Sequence, residues 1–485
     1  MTAAFGLAGM IASLALLIWL AYRGWSVLLL APLAAMLAAA ISGEPVMAHW
    51  TQTFMSAAAR FLAQFFPLFL LGALFGKLMA DSGSVQVIAD FMTRRFGPSR
   101  AILATVVCGA LVTYGGVSLF VAFFVLVPMA EKLFQASNLP RRLLPATIAL
   151  GTSTFTMSAL PGTPAIQNAI PMPFFGTTPF AAPGLGIIAS VVMVVFGLWW
   201  LKRQERRART LGEGYSVHPP MPPVDKTLVR ERATVSQSFD PEEIDHGGAA
   251  NALPSVAVAV APLLLVVVGN FVMNVLVLPR IDVRYLAEER WGGTSLEAVR
   301  GVWGVSVALA VAIVALIALN RSRFATLRES ADAGANAAVL PILSVCSLVG
   351  YGAVIAALPG FALVRTWLLG LGGGPLVSLA IATNLLAALT GSASGGMTIA
   401  LDALGSYYLN LAIQHHIDPA LLHRVAVMSS GSLDSLPHNG AVVTLLAVCG
   451  STHRDSYGDI VMVGILGALL ALVVVIVLGS LFGSF

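Results

Sequence analysis

The sequence predicts an all-α polytopic membrane protein made of two inverted repeats, each with a re-entrant hairpin and a broken helix, with about ten full spans plus two hairpins. Three observations carry this reading: composition, the placement of basic residues, and landmarks that recur in order. Of the 485 residues, 58% are hydrophobic and 10% are charged, against about 25% charged in an average soluble domain. A mean hydropathy of +0.87 is more than one core can hide, so the bilayer supplies the remaining apolar surroundings. That excludes an ordinary soluble enzyme. The formal net charge of +4 is a topology signal here and no argument for nucleic acid as a partner.

Apolar runs of roughly 20 residues, enough to span, occur at 5–22, 25–42, 54–80, 184–201, 253–278, 302–320, 335–358 and 460–482. The first lacks a basic run before it and has Arg23 after it, which reads as a span rather than a cleavable signal. Four further stretches, 101–130, 143–175, 375–408 and 425–449, are interrupted by Gly, Pro or hydroxyl residues. Lys and Arg beside short loops favour the cytoplasm. With the block Lys202 to Arg209 inside, Arg23, Arg94, Arg95, Arg100, Arg141 and Arg142 fall inside only if 101–130 enters and leaves on one face, turning near Gly115-Gly116. Both termini then lie outside, in the periplasm of a cell inner membrane. The chain divides into a first repeat over 1–201, a linker over 202–250 and a second, inverted repeat over 251–485. The linker holds Pro219-Pro220, Pro222-Pro223 and Pro241 with no apolar period, and is expected to be disordered and cytoplasmic.

The halves share landmarks. Leu74-Phe75-Gly76 and Asp81-Ser82-Gly83 correspond to Gly350-Tyr351-Gly352 and Leu358-Pro359-Gly360; Gly115-Gly116 to Gly395-Gly396; and Leu160-Pro161-Gly162-Thr163 to Leu436-Pro437-His438-Asn439. The offset is 276 for the prolines Pro161 and Pro437 and 280 for the glycine pairs. Five crossings and one hairpin per half force the second copy upside down. Inverted repeats with discontinuous helices are the mark of secondary transporters, which bind substrate near the midplane where the repeats meet.

The chemistry is expected in the interrupted segments. Pro161 and Pro164 break the first helix, and a half-helix beginning near Thr163 would present unpaired N–H groups to a carboxylate. Pro437 does the same in the second copy, beside Asp434 and His438. An acid at membrane depth is functional by default, so Asp434 is the candidate proton-coupling group with His438 as partner or relay; its structural alternative is a helix cap. The hairpin tips offer Gly115, Gly116 and Ser118 in the first repeat and Ser394, Gly395 and Gly396 in the second. Ser158, Gly162, Thr163, Asn168, Ser435, His438 and Asn439 complete the expected substrate site. Lys77 and Asp81, at the end of a span, are explained by snorkelling as well as by substrate binding; Asp402, a coupling group or a hairpin-end residue, is left open. His415, His416 and His423 read as a solvated loop and not as metal ligands, and the three cysteines as packing residues. No cofactor is expected beyond a coupling proton or sodium ion. An anion channel and an intramembrane hydrolase are the remaining readings.

The stretch Ser432-Leu433-Asp434-Ser435-Leu436-Pro437-His438-Asn439-Gly440-Ala441-Val442, with Leu160-Pro161-Gly162-Thr163-Pro164-Ala165-Ile166-Gln167-Asn168 upstream, resembles the gluconate permease (GntP) family of the ion-transporter superfamily. The resemblance covers nearly all of the chain except the linker. It implies a proton symporter for small hydroxy-carboxylates such as gluconate or 3-hydroxybutyrate, working as a dimeric elevator. Leu-Pro-Gly-Thr-Pro stands here where the gluconate-specific branch has a His-containing motif, which points toward a short monocarboxylate such as 3-hydroxybutyrate, or a citrate-like acid. The sodium-coupled di- or tricarboxylate transporter is the alternative. The expected partners are the organic acid, the lipid bilayer and a second copy of the chain.

Overall fold

The computed structural model describes residues 2–23, 25–215, 230, 234, 239–248, 250–370 and 372–485. Among them every regular element is helical. Seven helices are long and apolar enough to cross a membrane, or eight if the pair Ser84–Phe96 and Pro98–Tyr114, bent by 101°, is one span. Shorter apolar helices are Gly6–Ala21, Val27–Ile41 and Gly374–Thr390.

The first half opens with a packed pair, α1 (Thr2–Tyr22) and α2 (Val27–Ile41). Then come α3 (Val46–Asp81) and the amphipathic α4 (Ser84–Phe96). Gly97, with φ +67° and ψ 177°, turns the chain at the end of α4 as only glycine does without strain. The hairpin arms α5 (Ala101–Tyr114) and α6 (Leu119–Ala136) follow. At 1.5 Å per residue the 14 residues of α5 reach about 21 Å, short of a hydrocarbon core of about 30 Å. The arm therefore turns back inside the molecule. The broken helix comprises α7 (Leu144–Thr152), α8 (Phe155–Ser158), α9 (Ile166–Ala169) and α10 (Pro171–Phe175), and α11 (Pro183–Thr210) closes the half.

The second half repeats the order. A packed pair, α12 (Val256–Arg280) and α13 (Leu296–Asn320), precedes α14 (Leu327–Asn336) and α15 (Val339–Ala357), which run on as one apolar stretch. The short α16 (Phe361–Gly370) leads into the hairpin arms α17 (Gly374–Thr390) and α18 (Ala393–Gln414), which turn at Gly391-Ser392. The broken pair α19 (Pro419–Ser430) and α20 (Gly440–Val448) and the last helix α21 (His453–Phe482) complete it. The first hairpin turns at Gly115-Gly116 and both breaks lie where the landmarks predict, whereas the second hairpin turns at Gly391-Ser392, leaving the expected Gly395-Gly396 inside α18.

Three expectations are corrected. The disordered linker over 202–250 is, where described, ordered: Lys202 to Thr210 extend α11, Glu213 pairs with Arg142 at 2.9 Å, and residues 239–248 are docked. Phe239 is buried, and the Asp240 N–H donates to the Ala337 carbonyl at 2.8 Å; residues 216–229, 231–233, 235–238 and 249 lie outside the described residues. Second, Lys77 does not snorkel. It is 2% exposed, pairs with Asp81 at 3.0 Å and donates to the Ile244 carbonyl at 2.8 Å, fixing the docked segment 239–248 to α3. Third, His423 is no loop residue: it lies in α19 and is fully buried.

Candidate functional site

Two small cavities adjoin where the interrupted segments meet. The first, about 50 Å³, is bounded by the tip of the first hairpin (Thr113, Gly116, Ser118), by Pro164 to Gln167 beyond the first break, by α3, and by Ser394 from the second hairpin. The second, about 30 Å³, brings Ser153, Ser158 and Gln167 of the first broken helix against Asp434, Ser435 and Asn439 of the second. Leu119, Met157 and Gln167 belong to both. These volumes hold a few water molecules and no whole organic acid, so the two breaks are drawn together in this conformation.

Of the expected site residues, Gly116, Ser118 and Ser394 line the first cavity and Ser158, Asp434, Ser435 and Asn439 the second. The others line neither, and the reason is packing. A Cβ on Gly115 would lie 2.4 Å from Leu263, and one on Gly395 2.6 Å from Leu348. A Cβ on Gly396 would lie 2.3 Å from the Ala387 backbone nitrogen, where the two arms of the second hairpin touch. Gly162, at φ +81°, lies under the Phe180 ring, and its carbonyl accepts from Asn270 at 2.9 Å. The Thr163 hydroxyl accepts from the Ala165 N–H at 3.4 Å. Asn168 is held on every side: its Nδ2 donates to the carbonyls of Thr163 and Pro179, both at 3.0 Å, and its Oδ1 lies 3.2 Å from Nε2 of His423.

The second break departs from expectation in its cap. Asn439 Oδ1 accepts from the N–H groups of Ala441 at 2.7 Å and Val442 at 3.4 Å, and its Nδ2 donates to the Gly391 carbonyl at 2.9 Å. The first N–H groups of α20 are therefore occupied by the chain's own amide, and capping is the work of Asn439 and not of Asp434. Among side chains, the Asp434 carboxylate receives the Ser435 hydroxyl, at 3.4 Å. His438 Nε2 pairs with the Ala388 carbonyl at 3.0 Å, binding the break to the second hairpin. From the start of α21, His453 Nε2 donates to the Pro437 carbonyl at 2.7 Å and the Tyr457 hydroxyl to the Ser435 carbonyl at 3.2 Å. Asp402 is exposed on α18 and outside both cavities.

Two groups escape sequence reasoning. Arg424, fully buried in α19, donates from Nε and Nη2 to the Ala181 carbonyl at 3.2 and 2.6 Å and from Nη1 to that of Ser158 at 3.5 Å. No carboxylate lies within 4.0 Å of it among the described residues. A buried cation without an anion is costly, and this one stands directly behind Ser158 of the second cavity. Gln167 is the other, one residue before Asn168 and shared by both cavities.

The comparisons with known proteins follow the same lines. A family model described as a citrate transporter (CitMHS) matches residues 14–291. The uncharacterized transporter YxjC of Bacillus subtilis (strain 168) is 41% identical over 459 residues, covering 92% of this chain and 93% of that relative. Among solved structures, MtrF of Neisseria gonorrhoeae, described as illuminating a class of antimetabolite efflux pumps, matches with a TM-score of 0.50 at 13% identity, over 90% of this chain and 85% of its own. At that identity the likeness concerns the fold alone.

Proposed function

This chain belongs to the citrate transporter family, and on that footing we propose that it is a secondary active transporter for a small hydroxy-carboxylate, coupled to protons through Asp434. It is a multi-pass membrane transporter and not an enzyme. The observation that carries the finer reading is the second cavity. There, two broken helices from opposite halves face each other with one half-buried carboxylate between them, which supports a midplane site reached alternately from either side.

The anion preference is supported by Arg424. A guanidinium held by carbonyls alone leaves positive potential behind Ser158, and together with the hydroxyls of Ser158 and Ser435 it favours an acid. Citrate carries both a hydroxyl and carboxylates, so the family description and the hydroxy-carboxylate reading meet in it. The description favours citrate over gluconate or 3-hydroxybutyrate, and the gluconate permease resemblance is accordingly read as one of shared superfamily. Asp434, free of any capping duty, is the group that takes and releases the coupling proton. Sodium is the second coupling reading. We further propose an elevator cycle in a homodimer of an inner membrane, with both termini periplasmic.

The test is uptake of radiolabelled citrate, 3-hydroxybutyrate and gluconate into proteoliposomes under an imposed pH gradient, with a sodium gradient as a separate arm. Accumulation of an acid on the pH gradient alone supports proton symport; accumulation on the sodium gradient alone replaces the proton with sodium. Accumulation of none of the three under either gradient contradicts the reading.

A further inference from the structure

We infer that Gln167 is the specificity-determining residue of this site, its carboxamide pairing with the hydroxyl of a hydroxy-carboxylate; the inference rests on the function proposed above. Gln167 is the second residue of α9, just past the first break, and only 7% exposed. It lines both cavities, with Ser118 and Ser394 around one and Asp434, Ser435 and Asn439 around the other. Its Oε1 is buried without a hydrogen-bond partner, and so is the Ser118 Oγ of the same cavity. Buried amide oxygens are nearly always paired, because an unpaired one forfeits its hydration for nothing.

The contrast with its neighbour is informative. Asn168 has both ends of its amide engaged, by the carbonyls of Thr163 and Pro179 and by His423. Asn439, two residues after Pro437 at the second break, spends its amide on the α20 cap and on Gly391. Of the three side-chain amides at the two breaks, Gln167 alone keeps an unanswered acceptor.

The chemistry of that acceptor selects its ligand. A carboxylate has no proton to give Oε1, whereas a hydroxyl donates to Oε1 and accepts from Nε2. Gln167 therefore reads the hydroxyl of the substrate and leaves the acid groups to the Arg424 side. A site built around a buried hydrogen bond to a hydroxyl rejects the analogue lacking it far more strongly than an apolar pocket rejects a change of size.

The experiment uses the full-length protein in proteoliposomes and measures competition against uptake of labelled citrate or 3-hydroxybutyrate, whichever accumulates. The competitors are matched pairs with and without the hydroxyl: citrate against propane-1,2,3-tricarboxylate, and 3-hydroxybutyrate against butyrate. In the wild type the hydroxy-acid should compete at least about tenfold better. In Gln167→Leu the hydroxy-acid should bind more weakly and the ratio fall to within about twofold. Equal competition by the two members of a pair in the wild type overturns the inference without any variant; if the Leu variant does not insert, Gln167→Asn, which keeps the carboxamide but draws it back by one methylene, is used in its place and should likewise lower the ratio. An unchanged ratio in Gln167→Leu also overturns it, including the case in which that variant alters only sodium dependence. A wild type that accumulates neither acid under any gradient removes the proposed function along with this inference; accumulation without discrimination removes the inference alone.

Discussion

His423 Nε2 and Asn168 Oδ1 meet at 3.2 Å, joining the helix before the second break to the residues just past the first. The other ring nitrogen, Nδ1, pairs with the Thr177 hydroxyl at 2.6 Å, so one imidazole fixes both ends of the segment around α9 and α10. Replacing His423 with Ala strands a buried amide oxygen and a hydroxyl. The expected cost is about 1–3 kcal/mol, visible as a lower melting temperature of the detergent-purified protein. Uptake should fall with it, because α9 presents Gln167. A variant that melts and transports like the wild type would show that the two breaks are positioned without this bond.

The second hairpin depends on close backbone contact. Gly396→Ala drives a methyl to 2.3 Å from the Ala387 nitrogen, and no flexible side chain is there to yield. The arms α17 and α18 must separate, which displaces Ser394 from the first cavity. Gly370→Ala, with open space around its Cβ, is the control. We expect Gly396→Ala to lose folding or all uptake and Gly370→Ala to keep both, measured by size-exclusion profile and vesicle transport.

Lys77 anchors the docked segment 239–248. Lys77→Met leaves the Asp81 carboxylate buried and unpaired, at a cost of about 3–5 kcal/mol, whereas an apolar pair of similar volume is near neutral. The single variant should therefore melt earlier and expose residues near Ile244 to protease. Adding Asp81→Leu to Lys77→Met should recover the melting temperature while the segment, having lost the Lys77 bond to the Ile244 carbonyl, stays open to cleavage. Recovery of both would mean the segment is held by other contacts, such as the Asp240 N–H to Ala337 bond.

Much of this plan is legible in the sequence, because its signals are local. Glycines and prolines mark the hairpin tips and breaks, and arginines placed beside short loops dictate that 101–130 returns to its starting face. What escapes is decided by partners far along the chain. Lys77 reads as a span-end residue because its acceptor, the Ile244 carbonyl, is 167 positions away. His423 and Arg424 follow the polar run ending at Asp418 and look solvated, yet the facing carbonyls and amides come from the first half. Seven of the expected site residues line neither cavity for a related reason. Glycine at a tip serves packing as readily as ligand approach, and only the neighbouring atoms, such as Leu263 beside Gly115, tell the two apart. Gln167 was within reach: it lies in the same broken segment as Asn168, but where the helical period is interrupted the sequence does not reveal which of two adjacent amides turns inward.

Asp434 is the central claim, and accumulation against exchange tests it most directly. Proteoliposomes holding wild type or Asp434→Asn are loaded with unlabelled substrate to measure exchange of the labelled acid, and left empty to measure accumulation on a pH gradient. The amide cannot carry a proton, while Asn439 still caps α20 and the cavity keeps its shape. The account predicts exchange near the wild-type rate together with loss of gradient-driven accumulation in the variant. Full accumulation by Asp434→Asn would contradict it and would move the coupling group away from the second break.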